Sequence, residues 1–313
     1  MNKFIGNSFV NKINSINSND GPFFCIEVWP PKEINGINKF ISSITKLIDK
    51  TINNSFLLLS IVAQAENKPI NLSLPNSSTS IASKIINEDI LPKNSHLLLH
   101  ITGKSFINVP NDLIDIYFKN IKQLGINNYF VLTGDIPRQN NYNLENSFKL
   151  NSLQLIKRIK LFNKNISIAV AGYPECHPFA NNRTSDILFL KRKIYEGNAN
   201  LVICQFSLDN NAAEKFFQFV NDCREVGIYI SFLFGILLFQ NYSSLIKFSS
   251  LTKIKIPKEM FNILLPFRYN DNLIKYYSLW RAYYICQKLL NKQQLFNNIR
   301  AIHLFNSNQW EMT

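Results

Sequence analysis

A chain of 313 residues, 46% hydrophobic and 18% charged, has enough apolar material for one large core or two modest ones, which excludes intrinsic disorder. Ten glycines and twelve prolines exclude collagen-like and linker-like chains. The formal net charge of +13 raises nucleic acid as a partner, but the basic residues are scattered and no binding motif accompanies them. No nucleic-acid partner is therefore expected, and the charge is left for anionic small ligands.

Short apolar runs alternate with helix-periodic stretches along the whole chain. Phe23–Pro30 opens the series and Ile37–Lys50 follows with helical periodicity. Phe56–Ala63 precedes a Ser/Asn-rich loop and a helix near Ser80–Asn87. His96–Thr102 leads into the amphipathic stretch Asp112–Gly125, where Gly125 suits a C-cap. The next runs are Tyr129–Asp135, Ile166–Pro174, Asn200–Phe206 and Ile228–Ile236. Two helical stretches, Pro257–Leu264 and Asn272–Asn291, separate the seventh run from the last, Ile299–Asn306.

Continuous apolar strands between helices indicate a parallel sheet buried on both faces. Eight such units without a break in composition predict a TIM (β/α)8 barrel, with extra helices before the last strand, formed by residues 1–313 as one domain. An open dinucleotide-binding sheet fits less well. No Gly-x-Gly-x-x-Gly is present, and Gly103-Lys104-Ser105 lacks the earlier P-loop glycine, with Leu98 in its place. No apolar run reaches 18 residues and the N-terminus has no leader-like core, so a cytoplasmic protein with no membrane partner is expected. Five cysteines without a Cys-x-x-Cys pair and four dispersed histidines predict neither disulfides nor a metal site.

Barrel enzymes place their chemistry at the C-terminal ends of the strands. Glu27 lies there, inside an otherwise apolar strand, where a carboxyl is costly to bury as an ion and so favours the protonated form a general acid needs. An ion pair in the core is the competing explanation. Asp135 ends the fourth strand, as a loop or N-cap aspartate also would. Tyr173, Glu175 and His177 share a loop stiffened by Pro174 and Pro178, and Gln205 ends the sixth strand. Leu190-Lys-Arg-Lys193 reads as a solvated helix face or as an anion contact. These residues reach an acid–base barrel enzyme and no particular substrate.

The ordered motifs add a family. From about Phe23 to Met312 the chain resembles methylenetetrahydrofolate reductase of the bacterial single-domain type. Glu27-Val-Trp-Pro-Pro31 is similar to the family's Glu-Phe-Phe-Pro-Pro, and Thr133-Gly-Asp135 to its Arg-Gly-Asp. Ala169-Val-Ala-Gly-Tyr-Pro-Glu-Cys-His-Pro178 is the most specific match. Asp186 with Leu190-Lys-Arg-Lys193, Gln205-Phe206, Gly235-Ile-Leu237 with Phe248, and His303 to Met312 follow in family order.

That resemblance implies an FAD enzyme that reduces 5,10-methylenetetrahydrofolate to 5-methyltetrahydrofolate with NAD(P)H, in two successive hydride transfers. Glu27 would be the general acid, and Asp135 would steady positive charge beside flavin and pterin. His96, Thr133, Gly134, Asp135, Ala171, Tyr173, His177, Ala180, Asp186, Arg192 and Lys193 would line the FAD. Gln205, Phe248 and Gln309, with Asp135, would meet the substrate. The chain departs from the family pattern at Thr133 and Gln309, both arginine positions, and at Phe189 and Ser244. A homo-oligomer is compatible with the family. The rival reading is a relative that keeps the barrel as a scaffold or subunit without catalysis.

Overall fold

The computed structural model describes residues 23–51, 57–63, 77–92, 95–107, 109–134, 150–292 and 299–306. Its eight strands are β1 (Phe23–Val28), β2 (Leu57–Ile61), β3 (His96–Thr102), β4 (Asn128–Leu132), β5 (Ser167–Gly172), β6 (Leu201–Cys204), β7 (Ser231–Leu238) and β8 (Ile299–Asn306). All neighbours pair in parallel, and β8 closes onto β1, so the sheet is a barrel in sequence order. The expected TIM barrel is what forms.

The helices among the described residues are α1 (Ile37–Thr51), α2 (Ser78–Asn87), α3 (Asn111–Gln123), α4 (Ser152–Phe162), α5 (Arg183–Tyr195), α6 (Ala212–Glu225), α7 (Tyr242–Thr252), α8 (Lys258–Leu264) and α9 (Asp271–Lys292). Three α-helices separate β7 from β8, where the periodicity predicts two. The unforeseen one, α7, starts from a capping box in which the Asn241 side chain accepts from the Ser244 N–H. Its serines and single short apolar stripe hide the helical period. β7 also runs to Leu238, two residues beyond the expected Ile236.

Period-two alternation divides the strand residues between two cores. Cys25, Leu58, Leu98, Phe130, Ala169, Leu201, Ile203, Leu233 and Ala301 fill the barrel interior. The opposite faces pack against the helices, as with Ile26, Leu59, Leu99, Val131 and Val170. A third cluster joins Phe206, Leu237, Phe239, Leu245, Phe248, Met260, Leu264 and Ile274, where α7, α8 and α9 meet the strand ends. On its outer side α9 exposes Tyr276, Trp280 and Tyr283. Among the described residues no helix is long and apolar enough to cross a membrane.

Candidate active site

Glu27 and Cys25 share the inward face of β1, since Cys25 belongs to the interior cluster and side chains alternate. Glu27 pairs in register with Ser60 on β2, and Cys25 with His303 on β8. The acid is 5% exposed. Its Oε1 accepts from Trp29 Nε1 at 3.0 Å, and its Oε2 lies 3.5 Å from Nε2 of His303, which is fully buried. On the other side of that ring, Nδ1 is 2.9 Å from Cys25 Sγ. The competing core ion pair with Lys or Arg is not found among the described residues, where an indole and an imidazole surround Glu27.

A second polar pair lies beside the first. Ser60 Oγ and His100 Nε2 are 2.6 Å apart in the buried interior. Burial, aided by the nearby His303, lowers the His100 pKa to about 3, so its ring is neutral at physiological pH. Phe130 packs edge-on to His100 at 4.8 Å, and Phe305 packs likewise on His303 at 4.4 Å. This polar group therefore rests on an aromatic floor.

The loop after β5 forms the next wall. Tyr173 and His177 meet edge to face at 4.4 Å, and the His177 N–H donates to Asp186 Oδ2 at 3.0 Å. Burial raises the Asp186 carboxyl, while that hydrogen bond and Lys193 oppose the shift. The Ala180 N–H donates to the His177 carbonyl at 2.9 Å, which closes the turn. Lys193 is buried and donates to the Ala171 carbonyl at 3.0 Å, with the Phe189 ring 5.4 Å away. Desolvation lowers its pKa to about 8 despite the charge of Asp186. Ala171, Tyr173, His177, Ala180, Asp186 and Lys193 are thus gathered on β5, its loop and α5.

The other expected site residues are placed differently. His96 begins β3, whereas His100 on the same inward face lies four residues, or about 13 Å, nearer the C-terminal end. The structure therefore puts His100, not His96, beside Ser60, because a barrel strand brings only its later residues to the mouth. Arg192 turns to solvent and pairs with Glu196 at 2.6 Å, one helical turn further along α5. Thr133 Oγ1 accepts from the Ser152 N–H at 3.2 Å, tying the β4 loop to the start of α4. Gly134 follows with a φ of 86°, and a Cβ there would meet Lys104 Cβ at 2.8 Å. The Gln205 N–H donates to the Gly172 carbonyl at 2.8 Å, while its side-chain Oε1 accepts from the Phe206 N–H at 3.1 Å. Phe248 is 8% exposed inside the third cluster. Asp135 and Gln309 lie outside the described residues.

Trp29, Cys25, Ser60, His100 and His303 escape a search for isolated polar residues at strand ends. The available signal is alternation, which places Cys25 below Glu27 and His303 between Ala301 and Phe305 on one face.

Lys193 supplies a test of the electrostatics. In the unfolded chain it titrates near 10.5 and in the folded chain near 8, so between these values the unfolded state binds more protons. The penalty for the buried cation is full below pH 8 and is relieved as pH rises towards 10.5. Lys193→Met is expected to stabilise the ligand-free protein by about 1–3 kcal/mol at pH 7, with a smaller gain at pH 10. Thermal melts at the two pH values measure this, and an equal gain at both would assign the effect to packing.

The family model for methylenetetrahydrofolate reductase matches residues 12–313. A 5,10-methylenetetrahydrofolate reductase of Buchnera aphidicola subsp. Schizaphis graminum is 32% identical over 79% of this chain and 76% of its own length. A probable NADPH-type reductase of Caenorhabditis elegans is 28% identical over 92% of the chain, and an NADH-type reductase of Arabidopsis thaliana 29% over 96%. The chain spans 40% and 48% of the length of those two relatives. A Clostridium thermocellum protein that binds two copies of 5-methyl-5,6,7,8-tetrahydrofolic acid superposes with a TM-score of 0.61 at 14% identity, covering 92% of this chain and 90% of that one, and so shares the fold. The chain belongs to the methylenetetrahydrofolate reductase family.

Proposed function

We propose that this barrel reduces 5,10-methylenetetrahydrofolate to 5-methyltetrahydrofolate with NAD(P)H and holds FAD as its resident group. The supporting observation is Glu27, a buried carboxyl near the mouth of the barrel, gripped on one oxygen by Trp29. Family membership supplies the substrate class.

The residues present fit a flat ring system with an anionic tail. Lys193 is a buried cation whose hydrogen bond goes to a neutral carbonyl, a donor set that favours an added anion such as a pyrophosphate. Ala171, Gly134 and Ala180 keep the rim low, and Tyr173 and His177 offer ring faces. Asp186 fixes the loop that carries them. Arg192 would join the tail by leaving Glu196. Thr133 brings no cation where the family has arginine.

When bound, the flavin supplies hydride acceptance from the nicotinamide and hydride delivery to the folate. Glu27 donates its proton to a ring nitrogen of the folate, which opens the five-membered ring to an iminium. By the resemblance, Asp135 would supply a negative charge to that developing positive charge. Gln205 hydrogen-bonds the pterin or nicotinamide, and Phe248 presents an apolar edge to the bound aromatic ring. By the resemblance, Gln309 would meet the anionic glutamate tail as an amide rather than a cation.

The purified protein is expected to be yellow, or to turn yellow when FAD is added, with a bound-flavin absorption that FMN does not reproduce. A protein that stays colourless after reconstitution favours the scaffold reading and removes the enzyme one.

A further inference from the structure

We propose that His303 is the positioning residue for Glu27: its Nε2–H is aimed at the second carboxyl oxygen by a chain of hydrogen bonds that crosses the barrel. The inference deepens the reading of Glu27 as the acid and rests on it.

The His303 ring is completely buried. Its Nδ1 lies 2.9 Å from Cys25 Sγ, while Nε2 makes no hydrogen bond among the described residues and sits 3.5 Å from Glu27 Oε2. A buried ring nitrogen left without a partner so near an acid is the exception that needs a reason. Burial pushes the Cys25 thiol well above its ordinary value, so the sulfur keeps its proton. At this distance the S–H is placed to donate to Nδ1. An imidazole that accepts at Nδ1 carries its proton on Nε2, facing Glu27.

The chain extends upstream in the same direction. The Ser60 hydroxyl hydrogen-bonds the Cys25 sulfur, and Ser60 Oγ lies 2.6 Å from His100 Nε2. His100 is neutral, and with its proton on Nε2 the ring donates to Ser60, which can then donate to Cys25 and Cys25 to His303. Among the described residues, the titratable groups facing His303 are Cys25 and Glu27 on β1 and His100 on β3, and β7 presents Gly235 in register. When Glu27 releases its proton, one O–H bond breaks and one N–H bond forms on the substrate. The carboxylate left behind is held by Trp29 at Oε1, and closing the 3.5 Å gap gives Oε2 its own donor. His303 lends a hydrogen bond and transfers no proton.

The test is a long-range ¹⁵N histidine spectrum of the full chain, which has four histidines. His303 should show a protonated Nε2 and an unprotonated Nδ1. Cys25→Ser should preserve that tautomer, Cys25→Ala should mix it, and Glu27→Gln should move the Nε2 resonance. An Nδ1–H tautomer in the native chain, or a signal indifferent to Cys25→Ala and Glu27→Gln, overturns the proposal. These spectra need neither flavin nor folate, so they decide even where the proposed reaction fails. In the active enzyme, His303→Phe keeps the ring and removes both nitrogens. It should slow the folate half-reaction about 10- to 100-fold in the native chain and less than about threefold in the Glu27→Gln chain. Equal losses in both backgrounds assign His303 to core packing and contradict the proposal. Where His303→Phe does not fold, the spectra of the native and Cys25 chains decide.

Discussion

Glu27→Gln is expected to leave flavin reduction by NAD(P)H within about tenfold of wild type and to slow the folate half-reaction by about 10²–10⁴-fold. The amide keeps the size of the carboxyl and an oxygen for Trp29 Nε1, so the wall of the site stays in place. What it lacks is a transferable proton. In the proposed cycle the nicotinamide step needs none from this residue, whereas opening the folate ring needs an acid, and loss of that acid corresponds to roughly 3–5 kcal/mol of barrier. Stopped-flow absorbance of the flavin separates the two steps. A parallel loss of both steps together with FAD would make Glu27 a structural carboxylate. No loss in either would place the proton source elsewhere.

Gly235→Ala is expected to lower stability by about 2–4 kcal/mol, which for a chain of this size is a fall in Tm of roughly 3–6 °C. A Cβ on Gly235 would lie 2.2 Å from the Cys204 carbonyl oxygen, 2.9 Å from the Phe206 amide nitrogen and 2.7 Å from the Phe305 ring. Two of these are backbone atoms of the adjacent β6 and its exit loop, so no side-chain tail can swing aside. Relief requires β6 and β7 to part, and Gly235 pairs directly with His303, so the polar chain beneath Glu27 would shift as well. Thermal unfolding of the ligand-free protein measures the effect. An unchanged Tm would show that the barrel wall yields at this point.

Much of the barrel is legible in the sequence because buried parallel strands are continuous apolar runs, and His96–Thr102 and Ile299–Asn306 coincide with β3 and β8. The same continuity hides the inward face. Leu97, Leu98 and Leu99 look alike, and only closure of the sheet decides that Leu98 faces the interior while Leu97 and Leu99 face the helices. For that reason Glu27 stands out as a lone charge, while Cys25, Ser60, His100 and His303 are scattered over 279 positions from first to last and converge only through strand register. His96 and His100 share a face, and sequence spacing alone does not say which of them reaches the mouth. The Leu190–Lys193 run is half legible. Helical geometry turns Lys193 inward to Ala171 and Arg192 outward to Glu196, so neighbours in one basic run have opposite surroundings.

The direct test of the proposed reaction is an anaerobic cycle on the FAD-loaded protein, followed by its visible absorbance. NAD(P)H should bleach the flavin band, and 5,10-methylenetetrahydrofolate added after the excess nicotinamide is removed should restore it, with 5-methyltetrahydrofolate formed in equal amount. A band that bleaches and stays bleached with the folate, or that never bleaches with either nicotinamide, would contradict the account.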